Sequence, residues 1–396
     1  MLFRSNPPTP LPYEGREASE DADAAGGGAP RGTGRGLPDL ATIAGPPTSL
    51  VVTTGAWRRQ RFERAIIEVP LEPPLPPGSS TRVSINYNVS VPRQSGRLGL
   101  TSQSIMLGNW FATLGVHRGD WDRRPYTDVG DAFFTEVADF QLEIDTVQPM
   151  ELAFTGTLVQ RIGNHWSIRA ENVRDVALVG SSHFTIAQTN VGGITVSAYT
   201  LSTDPARLSA TAAEMVEWYS ARFGAYPYAQ LRVVEADLPA AFGGMEYPGL
   251  VMLSSHYGPL SRGSAYEALV AHELAHQWFY SWVGSDQIES PWLDEGLATL
   301  APVLFYMDVA PPVGMTQLRV LESTRVTRSI DADLYTFDDD STYFAAVYRP
   351  GARMLWELRE AMGEATFDLA LRDYITTFAH RTATDRKSTR LNSSHT

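Results

Sequence analysis

The segment His272-Glu273-Leu274-Ala275-His276, with Glu295 farther along, constrains this chain more than any other feature. Positions i and i+4 of a helix share a face, so the imidazoles of His272 and His276 can reach one ion. Catalytic zinc takes three protein ligands and keeps one position open, and Glu295 can be the third ligand. Glu273 then stands beside the ion, where a carboxylate can take a proton from an attacking water. The surrounding residues favour this arrangement. Tyr266-Glu267-Ala268-Leu269-Val270-Ala271 is an apolar, helix-forming run, and Ser264 with Glu267 makes an S-x-x-E capping pattern ahead of it. Pro291, before Trp292-Leu293-Asp294-Glu295-Gly296, suits the first turn of a second helix. Two ligands from one helix and a third from the next, holding one zinc per chain, is the expected geometry.

A length of 396 residues implies two or more domains with ample chain for buried cores. The net charge of -13 argues against nucleic acid and against anionic membrane surfaces as partners. With no cysteine there is neither a disulfide framework nor a thiolate metal site. No apolar run is long enough for a membrane-spanning segment, and no leader is recognisable at Met1. Met1-Leu2-Phe3-Arg4-Ser5 and the stretch from Asp385 to His395 both resemble translated sequencing adapters. On that reading the missing leader says nothing of localisation, and both ends are set aside from fold reasoning.

Composition divides the rest. Residues 1–36 read as an artefactual start followed by a disordered linker rich in Pro, Gly and Ala. Residues 37–200 read as a β-rich domain whose first strands truncation can have removed. Val83, Ile85, Tyr87, Val89 and Val91 alternate with polar residues, as do Phe140, Leu142 and Ile144, and Gly156 and Gly163-Asn164 mark turns. The pattern changes near 200. Asp204 can cap a helix with Pro205 in its first turn and Gly224 at its end, and Leu231, Val233 and Val234 suggest a strand. After the two zinc helices, two more are expected, over 351–362 and 364–379. Residues 201–384 therefore read as one α+β domain, and 385–396 as the adapter-like tail.

H-E-L-A-H-Q-W followed by W-L-D-E-G resembles the gluzincin zinc metallopeptidases of the aminopeptidase N and leukotriene hydrolase family. Gly243-Gly244-Met245-Glu246-Tyr247 resembles that family's G-x-M-E-N strand, and Tyr348-Arg349-Pro350-Gly351 its Y-x-K-G segment. The likeness runs over about residues 80–384 and is strongest from 226 to 360. It departs from the pattern at Tyr247, where asparagine is usual, and at Pro350, where lysine is.

The resemblance implies a multidomain α+β fold: a β-rich saddle or sandwich domain, then a thermolysin-like catalytic domain. It implies a zinc-dependent aminopeptidase acting on peptides with a free N-terminus. Tyr348 would donate a hydrogen bond to the oxyanion, Glu246 would grip the α-amine, and Gly243, Gly244 and Met245 would line the substrate edge. It also implies a second amine-binding residue from the β-rich domain, for which Asn109 is the candidate, and a C-terminal helical domain ahead of which this sequence stops. Asp294 and Asp286 are candidates to accept a hydrogen bond from the other N–H of a ligand histidine. Trp278, Trp282 and Trp292 read as core. Two alternatives stay open: a thermolysin-like endopeptidase, which Glu246 argues against, and a non-catalytic scaffold, which the retained ligands and base argue against.

Overall fold

The computed structural model describes residues 2–4, 66–69, 71, 73–239 and 242–384. The expected linker and the 385–396 tail lie outside the described residues.

The N-terminal part is built of short strands. They are β1 (Leu2–Arg4), β2 (Ile66–Glu68), β3 (Leu98–Leu100), β4 (Ile105–Leu107), β5 (Thr113–Leu114), β6 (Ala138–Asp145), β7 (Glu151–Phe154), β8 (Thr157–Ile162), β9 (His165–Val173) and β10 (Leu178–Ser181). They form three sheets, with orders β2-β1-β5, β3-β4-β10-β7 and β6-β9-β8. Every pair in them is antiparallel. In β6, Phe140, Leu142 and Ile144 are half-buried while the residues between them are exposed, as their alternation predicts. Leu2–Arg4, set aside above as adapter-like, is the middle strand of its sheet.

The stretch from Val83 to Val91 behaves differently from expectation. Val83, Ile85, Val89 and Val91 are half-buried, yet the segment pairs with no described strand. Alternation reports which side chains face the core; it does not supply a neighbour for the backbone hydrogen bonds.

The second part begins earlier than composition suggests. β11 (Thr185–Val191) and β12 (Ile194–Thr200) belong to one five-stranded sheet with β13 (Gln230–Ala236), β14 (Gly244–Met245) and β15 (Leu250–Ser254), in the order β11-β12-β13-β15-β14. The boundary expected at 200 thus falls inside this sheet. A hairpin reads alike whichever sheet it joins, so the change of pattern marks only the first helix. That helix, α1 (Pro205–Phe223), crosses between β12 and β13, which run parallel and so need such a connection. Asp204 caps it by accepting from the Ala206 N–H, and Gly224 ends it at φ 123°.

α2 (Ala265–Ala275) starts as its capping pattern predicts, with Ser264 accepting from the Glu267 N–H at 3.1 Å. The Glu267 carboxylate accepts from the Gly263 N–H at 2.5 Å, one residue before the usual capping-box donor, and from the Tyr306 hydroxyl at 2.9 Å. A short strand, β16 (Val283–Ser285), leads to α3 (Trp292–Val309), α4 (Pro311–Glu322), α5 (Asp340–Met362), α6 (Glu364–Phe378) and β17 (Arg381–Ala383), which pairs with β16. The core under the zinc helices is aromatic. Trp278 is fully buried against Tyr219, Phe223 and Tyr226, and its indole N–H donates to the Gly224 carbonyl at 2.8 Å. Trp282 and Trp292 pack against the same core, as the sequence reading expects.

α5 begins at Asp340 rather than near Gly351. Asp339 caps it by accepting from the Thr342 N–H at 2.8 Å, and Pro350 lies inside it at the loss of one backbone bond. Tyr348 is therefore held in a regular helix. α3 and α5 cross where glycine meets glycine: a Cβ on Gly351 would lie 3.1 Å from the Gly296 Cα, and one on Gly296 would lie 3.2 Å from the Gly351 backbone. Neither backbone can yield as a side chain could. Gly351→Ala is therefore expected to push α5 from α3 and destabilise the fold by about 1–3 kcal/mol, read as a lower urea midpoint with unchanged slope.

Candidate active site

His272 lies in the last turn of α2 and His276 at its C-cap, with the rings edge to face at 4.8 Å. Their Nε2 atoms are 3.2 Å apart. Glu295, in the first turn of α3, places Oε2 at 3.3 Å from the His272 Nε2 and 3.6 Å from the His276 Nε2. Tetrahedral ligands held about 2.0–2.1 Å from zinc lie about 3.3–3.4 Å from one another, so these three atoms outline one zinc-sized site. Glu295 Oε2 is also buried with no hydrogen-bond donor. A buried carboxylate oxygen left without a donor is costly, and a cation at the centre of the triangle would satisfy it. The residues present fit zinc.

The partners of these groups set their chemistry. The Nδ1–H of His276 donates to Asp294 Oδ1 at 2.6 Å, which leaves the Nε2 lone pair for a metal. Asp294 Oδ2 in turn accepts from the Gln287 amide at 2.5 Å. Asp286, the other candidate, instead binds Arg124 at 2.7 Å and accepts from the N–H groups of Ile288 and Glu289. Burial holds His272 below its ordinary pKa, in the neutral form that ligates. Burial also disfavours charge on His276, but Asp294, Glu246 and Glu295 outweigh it and hold that ring well above its ordinary value, so a metal would take Nε2 in place of a proton. Glu295 runs the other way: burial is overcome by His276 and His272, leaving it ionised with a pKa of about 2.

Glu273 faces the edge strand. A Cβ on Gly244 would overlap its carboxyl group, so the absence of a side chain at 244 makes room for the base. Burial, reinforced by Glu295, Asp131 and Asp294 and opposed by His276, pushes Glu273 up to about 8. Gly243 turns the chain into β14 at φ 70°, a conformation suited to glycine. β14 pairs with β15 alone among the described strands and so forms an edge of the sheet. Glu246 follows it, 3% exposed, with a carboxylate oxygen grouped with one of Glu273 and a ring nitrogen of His276. Met245 is buried in the core rather than lining the cleft. Tyr348 stacks on the His272 ring at 5.8 Å, and its hydroxyl donates to Glu295 Oε1 at 2.7 Å. Burial keeps this phenol well above its ordinary pKa, so it remains a donor. His272, Glu273, His276, Glu295, Gly243, Gly244, Glu246 and Tyr348 line one cleft of about 880 Å³.

Asn109 does not reach that cleft. Its carbonyl oxygen accepts from the Tyr247 hydroxyl at 2.8 Å, and its amide donates to Asp175. A Cβ on Gly108 would overlap the same phenol. Gly108 and Asn109 thus form a socket for Tyr247, which answers the departure at that position. The β-rich part does send Gly130 and Asp131 to the cleft, Asp131 paired with Arg97 at 2.5 Å. Nothing in the spacing around Gly130-Asp131 marks it, and the sequence reading misses it. Tyr247→Phe is expected to remove this buried hydrogen bond and lower stability by about 1–3 kcal/mol, measured by thermal or urea unfolding.

Comparison with known proteins agrees with this geometry. Residues 208–391 match the peptidase family M1 domain. Aminopeptidase M1-A of Oryza sativa is 30% identical over 159 residues, covering 36% of this chain and 18% of the relative. Human aminopeptidase N is 30% identical over 159 residues, covering 35% of this chain and 16% of the relative. The matched stretch is therefore less than a fifth of either relative's length. In fold, the chain is similar to a two-domain M1 zinc metallopeptidase variant solved with L-arginine, with TM-score 0.58 and 20% identity, covering 87% of this chain and 79% of that one. An M1 zinc metallopeptidase from Deinococcus radiodurans gives TM-score 0.51 at 20% identity, covering 64% and 58%. Over residues 208–391 the chain is thus similar to the zinc metallopeptidases of peptidase family M1.

Proposed function

We propose that this chain is a zinc-dependent aminopeptidase that removes N-terminal residues from peptides, one zinc serving each chain. The observation that carries the reading is the buried Glu246 carboxylate set in the same cluster as Glu273 and His276. A carboxylate closing the cleft there favours a free ammonium group at the first substrate residue and offers nothing to a blocked one. Asp131, from the β-rich part, lines the same cleft and can share that ammonium.

Zinc held by His272, His276 and Glu295 would acidify a water and polarise the scissile carbonyl. Glu273 takes the proton of the attacking water and returns it to the leaving amine. Tyr348, whose hydroxyl rests on Glu295 Oε1, swings a short way to donate to the developing oxyanion. The β14 edge, with Gly243 and Gly244 bare of side chains, can pair with the substrate backbone as an added strand. No covalent enzyme intermediate is needed.

The test compares a peptide with a free N-terminus and its acetylated twin, with and without chelator. Cleavage of the free peptide only, abolished by chelator and strongly reduced in Glu246→Ala, is expected; equal cleavage of both would move the reading to an endopeptidase. Bound zinc with no cleavage of either would support the scaffold reading. Tyr348→Phe is expected to lower kcat by about a hundredfold or more while zinc stays bound, as checked by metal analysis of the variant.

A further inference from the structure

The cleft has a second, cationic pole. Arg349 on α5 and Arg325 in the loop after α4 are both exposed and both line it. Neither makes a hydrogen bond or ion pair with any described residue. Arg97, Arg124, Arg222 and Arg353, by contrast, each bind a carboxylate. The two arginines are held on one side. Arg353, one helical turn beyond Arg349, donates to the carbonyl of Thr324 at 2.8 Å, which ties the loop carrying Arg325 to α5.

The opposite pole is acidic. Asp340, at the start of α5, accepts from the Gly130 N–H at 2.9 Å, beside Asp131. From Asp340 to Arg349 the helix rises about 13 Å. An extended peptide advances about 3.3–3.6 Å per residue, so that span corresponds to roughly four residues.

We propose that Arg325 and Arg349 form a carboxylate-binding subsite on the leaving side of the cleft. It reads an anionic group roughly three or four residues from the substrate's N-terminus, either the C-terminal carboxylate of a short peptide or an acidic side chain. The inference rests on the aminopeptidase reading above and extends it to substrate class. Guanidinium groups favour carboxylates through paired, charge-assisted hydrogen bonds. Two exposed pairs of this kind, each of modest strength, give about a fivefold preference.

The experiment measures kcat/KM for tetra-alanine as the free acid, as its C-terminal amide, and as an amide with glutamate at the third position. The free acid is expected to exceed the plain amide about fivefold. The glutamate amide separates the two sources: recovery of the preference assigns it to side chains as well, and no recovery assigns it to the C-terminus. In the double variant Arg325→Gln with Arg349→Gln the acid-to-amide ratio falls to about one. Arg349→Glu reverses the preference towards an amide ending in lysine, an outcome that misfolding cannot produce. Equal rates for acid and amide in the unmodified chain, or a ratio that survives the double variant, overturns the proposal. Leucine p-nitroanilide, too short to reach the arginines, reports on the aminopeptidase reading alone. If neither it nor any peptide is cleaved, that reading fails, and equilibrium binding of the same acid and amide pair to the zinc-loaded chain decides the arginine proposal.

Discussion

A buried excess of negative charge around two imidazoles is the constraint on which the rest of this molecule turns. Asp131, Glu246, Glu273, Asp294 and Glu295 are all buried, with His272, His276 and Arg97 as the groups that answer them. Carboxylates crowded in a low-dielectric interior repel one another and lose their hydration, so uncompensated they resist ionisation. That strain appears as the upward push on Glu273, Glu246 and Asp294. A divalent cation held by His272, His276 and Glu295 would reverse the local balance and let the carboxylates stand ionised beside it.

Close backbone approach brings these groups together. Gly296 against Gly351 lets α3 and α5 touch, which carries Tyr348 to within 2.7 Å of Glu295. Gly244 leaves room for the Glu273 carboxyl against the edge strand, and Gly108 leaves room for the Tyr247 phenol. Behind them, Gln277 ties the zinc helix to this strand region, accepting from the Gly249 N–H at 2.8 Å and donating to the Tyr247 carbonyl at 3.1 Å. The aromatic packing around Trp278 anchors the end of α2, and with it the position of His276. Chemistry and packing are therefore coupled through a few positions that tolerate no added atom.

The grouping of His272 with His276 is legible in the sequence because a helix converts spacing directly into geometry. His272 and His276 meet from their spacing alone, and the capping residues Ser264 and Asp204 mark the starts of their helices. Asp294 was legible as a partner because it neighbours Glu295, although only the fold distinguishes it from Asp286. Asp131 was not legible, since it reaches the cleft from a loop whose position depends on how two sheets pack. Asn109 was misassigned for the same reason: its neighbours along the chain say nothing of Tyr247, which it meets in space. The start of α5 was misplaced because Pro350 and Gly351 look like a helix beginning, whereas the cap lies at Asp339. The domain boundary slipped because hairpin strands do not declare which sheet they extend.

The central claim is that one cation completes a site the fold has already assembled. The most direct measurement is calorimetric unfolding of the metal-free chain with and without stoichiometric zinc, beside Glu295→Gln. A ligand that binds the folded state raises its melting temperature by mass action. A clear rise that saturates at one zinc per chain is expected for the unmodified chain, and a much smaller one for the variant. No rise, or an equal rise in both, would contradict the claim.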